Sequence, residues 1–297
     1  MMFGLRRKPS ETEYAAPRPV LDLSGPRLRR AFDDLVQSSE PTGGLERYVT
    51  ALALKASLFD ELLGDGKAAD LTEAEFLDLA AFITPVRRRI SAHLVRYGFE
   101  PLRLRLAELA HALDQTDRTD ARIAAFEAGF SADSEHRWVR DLGAEVLHFT
   151  RPTDYPLMTR WVWDATTETG VLREIWASED VDAAKIVATN AVATFQTLRD
   201  ELDVFLAGEG VFRDRHFYID LLMSHVYAGY INDRGGQYLR TDFTLEGDPM
   251  QHTRRMLGLD AVNTETGRTR LRLIDGTVHR FGGLPAPTSK EAADAHS

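Results

Sequence analysis

Cysteine is absent from this chain of 297 residues. Its absence excludes disulfide bonds, thiolate metal sites, iron–sulfur clusters and cysteine nucleophiles. No stretch approaches the ~20 apolar residues that a membrane-spanning helix needs. The charged residues in Met1 to Lys8 are not followed by the apolar segment that a secretory signal peptide requires. Gly-x-x-x-x-Gly-Lys and Gly-x-Gly-x-x-Gly motifs are also missing. We therefore expect a soluble, cytoplasmic protein with neither a phosphate loop nor a dinucleotide fold.

Basic residues are fewer than acidic residues: the chain has 36 Lys and Arg and 46 Asp and Glu, which gives a net charge of −10. This balance argues against a general affinity for nucleic acid or for an anionic membrane. Hydrophobic residues make up 43% and charged residues 28% of the chain, as in globular proteins. We expect a folded core and neither nucleic acid nor membrane among the partners.

Helical patterns dominate residues 21–150, which we expect to form a helical region between a flexible tail, 1–20, and an α+β region, 151–284. A second polar tail follows at 285–297. Apolar residues recur at helical spacing from Leu45 to Leu63, and Thr72 with Glu75 fits a capping box. The predicted helices cover 27–38, 45–63, 72–83, 86–97, 101–113, 119–130 and 134–149.

Strand patterns enter in the second half. β-Branched and aromatic residues in 159–164 and 171–176 flank a turn at Gly170, which predicts a first hairpin. A second hairpin is predicted from 268–273 and 277–281, joined through Asp275-Gly276. Helices are expected over 181–206 and 216–231. The predicted fold is mostly α, with a helical N-terminal half and an α+β C-terminal half that holds two short β-hairpins.

Two Glu-x-x-His motifs are candidate metal ligands. In each, the carboxylate and the imidazole lie on one helix face, as in di-iron or di-manganese bundles. The motifs are Glu108–His111 and Glu145–His148, and further ligands could come from Glu127 and from Glu61, Glu73 or Glu75. The offset along the helices places Glu127 and Glu145 too far apart to share a metal. The alternative, pairs on helix surfaces and core histidines, is the more frequent case.

A polar stripe crosses the apolar helix 216–231. His216, Asp220 and Ser224 follow one another at intervals of four, and His225 flanks them. A histidine beside a carboxylate can act as a general base, so His216, Asp220 and His225 are candidate catalytic residues. The alternative is a narrow solvent-facing seam or a set of buried, paired groups. No Gly-x-Ser-x-Gly elbow surrounds Ser224, which argues against a serine nucleophile.

Arginines concentrate in one short stretch of this acidic chain. The stretch contains Arg87, Arg88, Arg89, Arg96, Arg103 and Arg105, with Glu100 as the opposing charge. Guanidinium groups bind phosphate or carboxylate groups at two points. The first four are candidates for binding an anion or a partner protein, and the alternative is a solvated helix face with local ion pairs.

All four tryptophans lie between residues 138 and 176. On the predicted first hairpin, Trp161, Trp163 and Trp176 share one face. Tryptophan is enriched at the energetic centres of protein interfaces, so this face is a candidate docking surface. The alternative is packing against the helix predicted at 181–206.

Two segments, 151–164 (Arg-Pro-Thr-Asp-Tyr-Pro-Leu-Met-Thr-Arg-Trp-Val-Trp-Asp) and 217–227 (Phe-Tyr-Ile-Asp-Leu-Leu-Met-Ser-His-Val-Tyr), resemble the small subunit of ATP-dependent carboxylases that act on aromatic ketones, the acetophenone carboxylase type. The resemblance implies a subunit with no cofactor of its own. Larger enzyme subunits would be its partners and would carry the ATP chemistry. It assigns no functional residue in this chain.

Three functions follow as hypotheses. The first is an accessory subunit of a cytoplasmic multi-subunit enzyme, which agrees with the missing nucleotide motifs; the resemblance implies the carboxylase or ligase class. The second is a metal-dependent enzyme that uses Glu108, His111, Glu145 and His148 to hold iron or manganese. The third is a hydrolase or isomerase that uses His216, Asp220 and His225, provided that these side chains open into a pocket.

Overall fold

Helices make up most of the computed structural model, which describes residues 18–235, 250–263, 268–272 and 278–280 and, for 232–235 and from 261 onward, the backbone alone. The described α-helices, numbered α1 to α12 in chain order, are Gly25–Ser39, Leu45–Leu63, Glu73–Ala81, Thr84–Arg87, Ile90–Tyr97, Glu100–Leu109, Thr119–Glu127, Trp138–Thr150, Val171–Glu174, Val192–Gly208, Arg215–Gly235 and Gln251–Met256. Short 3-10 helices cover Glu40–Thr42, Gly64–Asp70, Thr116–Arg118, Ser134–His136 and Leu259–Ala261. The mostly helical composition is confirmed.

Local signals explain several helix ends in the first half. Pro26 lies in the first turn of α1, where its missing N–H leaves no hydrogen bond unmade. Helix α2 has the predicted bounds, and its apolar positions face the core. Thr72 and Glu75 form the predicted capping box of α3, in which the Thr72 hydroxyl accepts from the Glu75 N–H and the Glu75 carboxylate accepts from the Thr72 N–H.

Two helices pass through the centre of the molecule. Every residue of α8 except Arg140 is buried. Helix α8 packs against α2, and α11 packs against α1, α2, α9, α10 and α12. One hydrophobic core therefore contains side chains from both halves of the chain. Polar groups of α8 and α11, including Glu145, His148 and Asp220, are consequently buried in that core.

The predicted first hairpin is wrong. Residues 159–164 form turns, and 171–174 form the short helix α9. Between residues 18 and 235 the structure contains isolated bridges, Leu23 with Trp176 and Asp164 with Thr169, but no β-strand. Apolar side chains on both sides of this segment are buried, so alternation does not separate a core face from a solvent face. The prediction of an α+β C-terminal half with two hairpins is therefore wrong.

Three short strands lie beyond residue 250, in the region of the second predicted hairpin. Strand β1 is Val262–Asn263, β2 is Arg268–Arg272 and β3 is Val278–Arg280. They form an antiparallel sheet in the order β1-β2-β3, with Val262 opposite Thr269 and Arg268 opposite Arg280. The ends of that predicted hairpin, Leu273, Thr277 and Phe281, lie outside the described residues, as do 1–17 and 281–297 of the predicted tails.

The helix predicted to begin at Val181 begins at Val192. The preceding segment is held by tertiary hydrogen bonds instead. The Trp163 indole donates to the Ala188 carbonyl at 3.2 Å, and the Asn190 side chain accepts from the Ala165 N–H at 2.8 Å. These tertiary contacts override the helical pattern of residues 181–191, so α10 begins only at Val192. Among the described residues, no helix is both long and apolar enough to cross a membrane.

Candidate functional site

A histidine and an aspartate from the two central helices bind each other in the core. His148 Nε2 on α8 lies 2.9 Å from Asp220 Oδ2 on α11, and each side chain is 2% exposed. The other ring nitrogen, His148 Nδ1, lies 2.8 Å from the Tyr155 carbonyl oxygen. A carbonyl only accepts, so Nδ1 carries a proton and the ring orientation is fixed. The Asp220 carboxylate is thereby held in place from behind.

His216 lies one helical turn before Asp220 on the same face of α11. It lines an open cleft of about 350 Å³ between α10 and α11, together with Arg199 and Asp214. A closed space of about 10 Å³, room for about one water molecule, lies next to the cleft and is lined by His216, Asp220 and His148. His216 therefore stands between the outer cleft and the buried pair.

Burial lowers the pKa of His216 below its ordinary value, while the Asp220 charge raises it in part and the neighbouring His148 lowers it. The imidazole is consequently uncharged at neutral pH, with one ring nitrogen free of a proton. A proton acquired at that nitrogen would be stabilised by the Asp220 carboxylate. The geometry supplies a base that faces a cleft, with the hydrogen-bonded His148–Asp220 pair behind it.

The cleft has a polar rim with a fixed charge pattern. Arg199 donates to the Thr153 carbonyl at 3.0 Å, and its side chain lines both the cleft and the inner space. Arg215 binds Asp203 at two points, 2.6 and 2.9 Å, which neutralises that carboxylate. Asp200, which also lines the cleft, pairs with Arg18. Arg199 and Asp214 are therefore the charged groups without an ion-pair partner that a bound molecule would meet beside His216 among the described residues.

His225 does not belong to this site, contrary to the sequence-based grouping. Its Nε2 lies 2.7 Å from Asp34 Oδ2, and its Nδ1 lies 3.1 Å from the Thr253 hydroxyl. It therefore faces α1 and α12 rather than the cleft. Ser224 is fully buried and donates to the Leu221 carbonyl of its own helix at 2.9 Å, so it is a core hydroxyl and not a nucleophile.

The two side chains of the second Glu-x-x-His motif, Glu145 and His148, bind other groups of the protein. Glu145 binds the ammonium group of Lys55 at 2.7 Å, and both side chains are buried. Lys55 also donates to the carbonyls of Phe82 and Leu257 at 3.2 and 3.0 Å. A lysine ammonium in contact with the carboxylate opposes a metal cation there. His148 binds Asp220 instead, so Glu145 and His148 do not bind a common partner.

The first motif lies on the surface, because Glu108 and His111 are exposed. The two motifs therefore do not face each other across a bundle. Of the proposed extra ligands, Glu127 lies 3.5 Å from Arg140 and Glu75 caps α3. Within the part of the chain that the structure describes, no group of three or more histidine, aspartate or glutamate side chains could hold a metal ion. The structure therefore does not bring together the four ligands of the alternative metal-enzyme hypothesis, Glu108, His111, Glu145 and His148.

The tryptophan docking face is also corrected. Trp163 is fully buried and Trp161 is 8% exposed, so both belong to the core. Trp176 is half-buried and bridges to Leu23 through its backbone. The alternative that the sequence left open, internal packing, is the one observed, although the tryptophans pack there without a hairpin.

Some arginines of the cluster form ion pairs within the protein, and others are exposed to solvent. Arg87 binds Asp260 at two points, both 2.8 Å, and ties α4 to the chain after α12. Arg88, Arg89 and Arg96 are exposed and remain candidates for binding an anion or a partner. Arg103 pairs with Glu100, as the local ion-pair alternative supposed.

Sequence reasoning missed the partners of His216 and Asp220. The sequence pattern predicts a metal ligand at His148 and no role for Arg199. His148 lies 72 residues from Asp220, and a single sequence contains no signal that pairs α8 with α11 across that separation. The spacing of four between His216 and Asp220 was the signal that did find part of the site.

No protein-family model, curated protein or solved structure matches this chain significantly.

Proposed function

We propose that this protein is an enzyme of the hydrolase or isomerase type in which His216 transfers a proton to or from a small molecule bound in the cleft between α10 and α11. The observation that supports the proposal is the position of His216, which lines the open cleft on one side and the space beside Asp220 and His148 on the other. The cleft volume falls within the ~300–1,000 Å³ of small-molecule sites.

Each group has a separate role in this proposal. The uncharged His216 imidazole accepts a proton from the substrate or from a water molecule. Asp220 stabilises the imidazolium that forms, and His148 holds the Asp220 carboxylate in position. Arg199 and Asp214 bind oppositely charged or hydrogen-bonding groups of the substrate at the rim. The substrate is therefore a polar molecule that fits about 350 Å³.

His216→Asn tests the proposal, with His225→Asn as the matched control on the same helix but outside the cleft. Purified protein is incubated with a mixture of cellular metabolites, and turnover is followed by mass spectrometry. We expect at least one metabolite to be hydrolysed or isomerised by the unaltered protein. His216→Asn should slow that turnover by about 100-fold or more, whereas His225→Asn should leave it within about threefold. No turnover, or equal turnover by His216→Asn, contradicts the proposal.

The accessory-subunit hypothesis and its resemblance to ketone carboxylase subunits stay predictions. The exposed tryptophan face that supported docking is not present, since Trp161 and Trp163 are buried. The exposed Arg88, Arg89 and Arg96 are the part of that argument that is left.

A further inference from the structure

A second cavity lies where α5, α6 and the segment between α7 and α8 meet. It has a volume of about 190 Å³, and its walls include His93, Tyr97, Phe130, His136 and Arg105. This volume is below the ~300–1,000 Å³ typical of sites for drug-sized ligands. The cavity therefore suits a molecule with a single ring, and it shares no residue with the cleft at His216.

Four planar rings lie side by side in its wall. The His93 ring centre lies 4.9 Å from that of Tyr97, 5.7 Å from that of Phe130 and 5.8 Å from that of His136. Buried Trp138 supports the cluster from behind, 5.2 Å from His93 and 5.9 Å from Phe130. Rings held at these distances offer edges and faces to another planar ring.

Arg105 supplies the positive charge. Its guanidinium carbon lies 5.8 Å from the centre of the Phe130 ring. The group also lies directly over Gly129, where an added Cβ would be 1.8 Å from the Arg105 Cζ. Among the described residues, no carboxylate forms an ion pair with Arg105. A half-buried guanidinium without a counterion favours a planar carboxylate, which it can bind at two points.

One ring nitrogen of His93, which lines the same cavity, has no hydrogen-bond partner among the described residues. His93 Nδ1 is inaccessible to solvent and has no hydrogen bond within the described part of the chain. Burial, and secondarily His136, lowers the pKa of His93, so its ring is uncharged at neutral pH. Buried polar atoms are rarely left unpaired in folded proteins. Because this nitrogen is closed to solvent, it is also closed to a ligand in the cavity, and His93 contributes only its uncharged ring to the wall.

We propose that this cavity binds a small aromatic carboxylate, with its ring against Phe130 and Tyr97 and its carboxylate on Arg105. The aromatic wall selects a planar ring, the volume limits the ligand to about one ring, and the guanidinium selects the negative charge.

Isothermal titration calorimetry with benzoate tests the ligand class. Benzamide keeps the ring and removes the charge, and cyclohexanecarboxylate keeps the charge and removes the aromatic ring. We expect benzoate to bind at least about tenfold more tightly than either compound, since each lacks one of the two contacts. No binding of millimolar benzoate, or equal binding of benzamide, overturns the proposal.

Two variants test the position of the ligand. Arg105→Gln removes the charge, and Gly129→Ala keeps the charge but displaces the guanidinium from the backbone. Each should weaken benzoate binding by at least about tenfold. Arg103→Gln is the matched control, because it removes an arginine of the same helix that pairs with Glu100 and does not line the cavity. Circular dichroism verifies that each variant is folded. If Gly129→Ala and Arg105→Gln both bind benzoate as the unaltered protein does, the site is wrong.

Discussion

Lys55 places a positive charge in the centre of the core. Its ammonium group binds Glu145 and two backbone carbonyls, and it lies 3.6 Å from the centre of the Phe149 ring. Burial lowers the pKa of Lys55, and Glu145 raises it in return. Burial raises the pKa of Glu145, and Lys55 lowers it in return. Each charge is therefore tolerated only because the other is present.

At the residue scale we predict the cost of breaking this pair. Lys55→Met leaves the Glu145 carboxylate buried alone, so the free energy of unfolding should fall by about 3–5 kcal/mol. Adding Glu145→Leu removes the stranded charge and should recover at least about 2 kcal/mol of the loss. Urea denaturation measures both values. A loss below about 1 kcal/mol for Lys55→Met would show that the pair is not closely coupled to folding.

The single variant should also depend on pH in a defined direction. Without Lys55, the folded-state pKa of Glu145 is raised further above its unfolded value, so folding takes up a proton. Relative to the double variant, which has neither group and titrates the same histidines, Lys55→Met should therefore lose stability as pH rises from about 5 to about 8.

At the scale of elements, local signals in the sequence were sufficient where local chemistry decides the structure. Thr72 with Glu75 defines the start of α3, and apolar spacing defines α2 over Leu45–Leu63. The pattern of residues 159–176 predicts a hairpin wrongly, because the buried turns and the short helix α9 contain the same aromatic and β-branched residues as a strand. The start of α10 was displaced by hydrogen bonds from Trp163 and Asn190, which are contacts between distant segments. The candidate site was found only through residues of one helix, His216 and Asp220.

The turn after α12 provides the prediction at this scale. Gly258 has φ +72°, and a Cβ there would lie 1.6 Å from the Phe82 carbonyl oxygen. That carbonyl accepts from Lys55, so a displacement would also disturb the buried pair. Gly258→Ala should lower the free energy of unfolding by at least about 2 kcal/mol. Gly208→Ala, in a helix and with nothing within 4 Å, is the control and should change stability by no more than about 1 kcal/mol. Equal effects of the two substitutions would argue against close packing at Gly258.

At the scale of the whole molecule, partly buried histidines link folding to pH. Burial lowers the pKa of His93, His216 and His252, and nearby charges modify each shift. Between the folded and unfolded pKa values, the unfolded chain binds more protons at these rings than the folded chain does. Stability therefore rises with pH in that range and is lost as pH falls below the ordinary histidine value of about 6.5.

We accordingly predict that the free energy of unfolding decreases between about pH 7.5 and about pH 5.5, and that His216→Asn and His93→Asn each reduce this decrease. Urea denaturation at the two pH values measures it. Comparing each variant with the unaltered protein removes the contributions of other titrating groups, including Glu145. His225→Asn is again the control, because His225 binds Asp34 and lies outside both cavities. If His216→Asn leaves the pH dependence unchanged, His216 is not held as a free base in the folded protein, and the proton-transfer role proposed for it loses its physical basis.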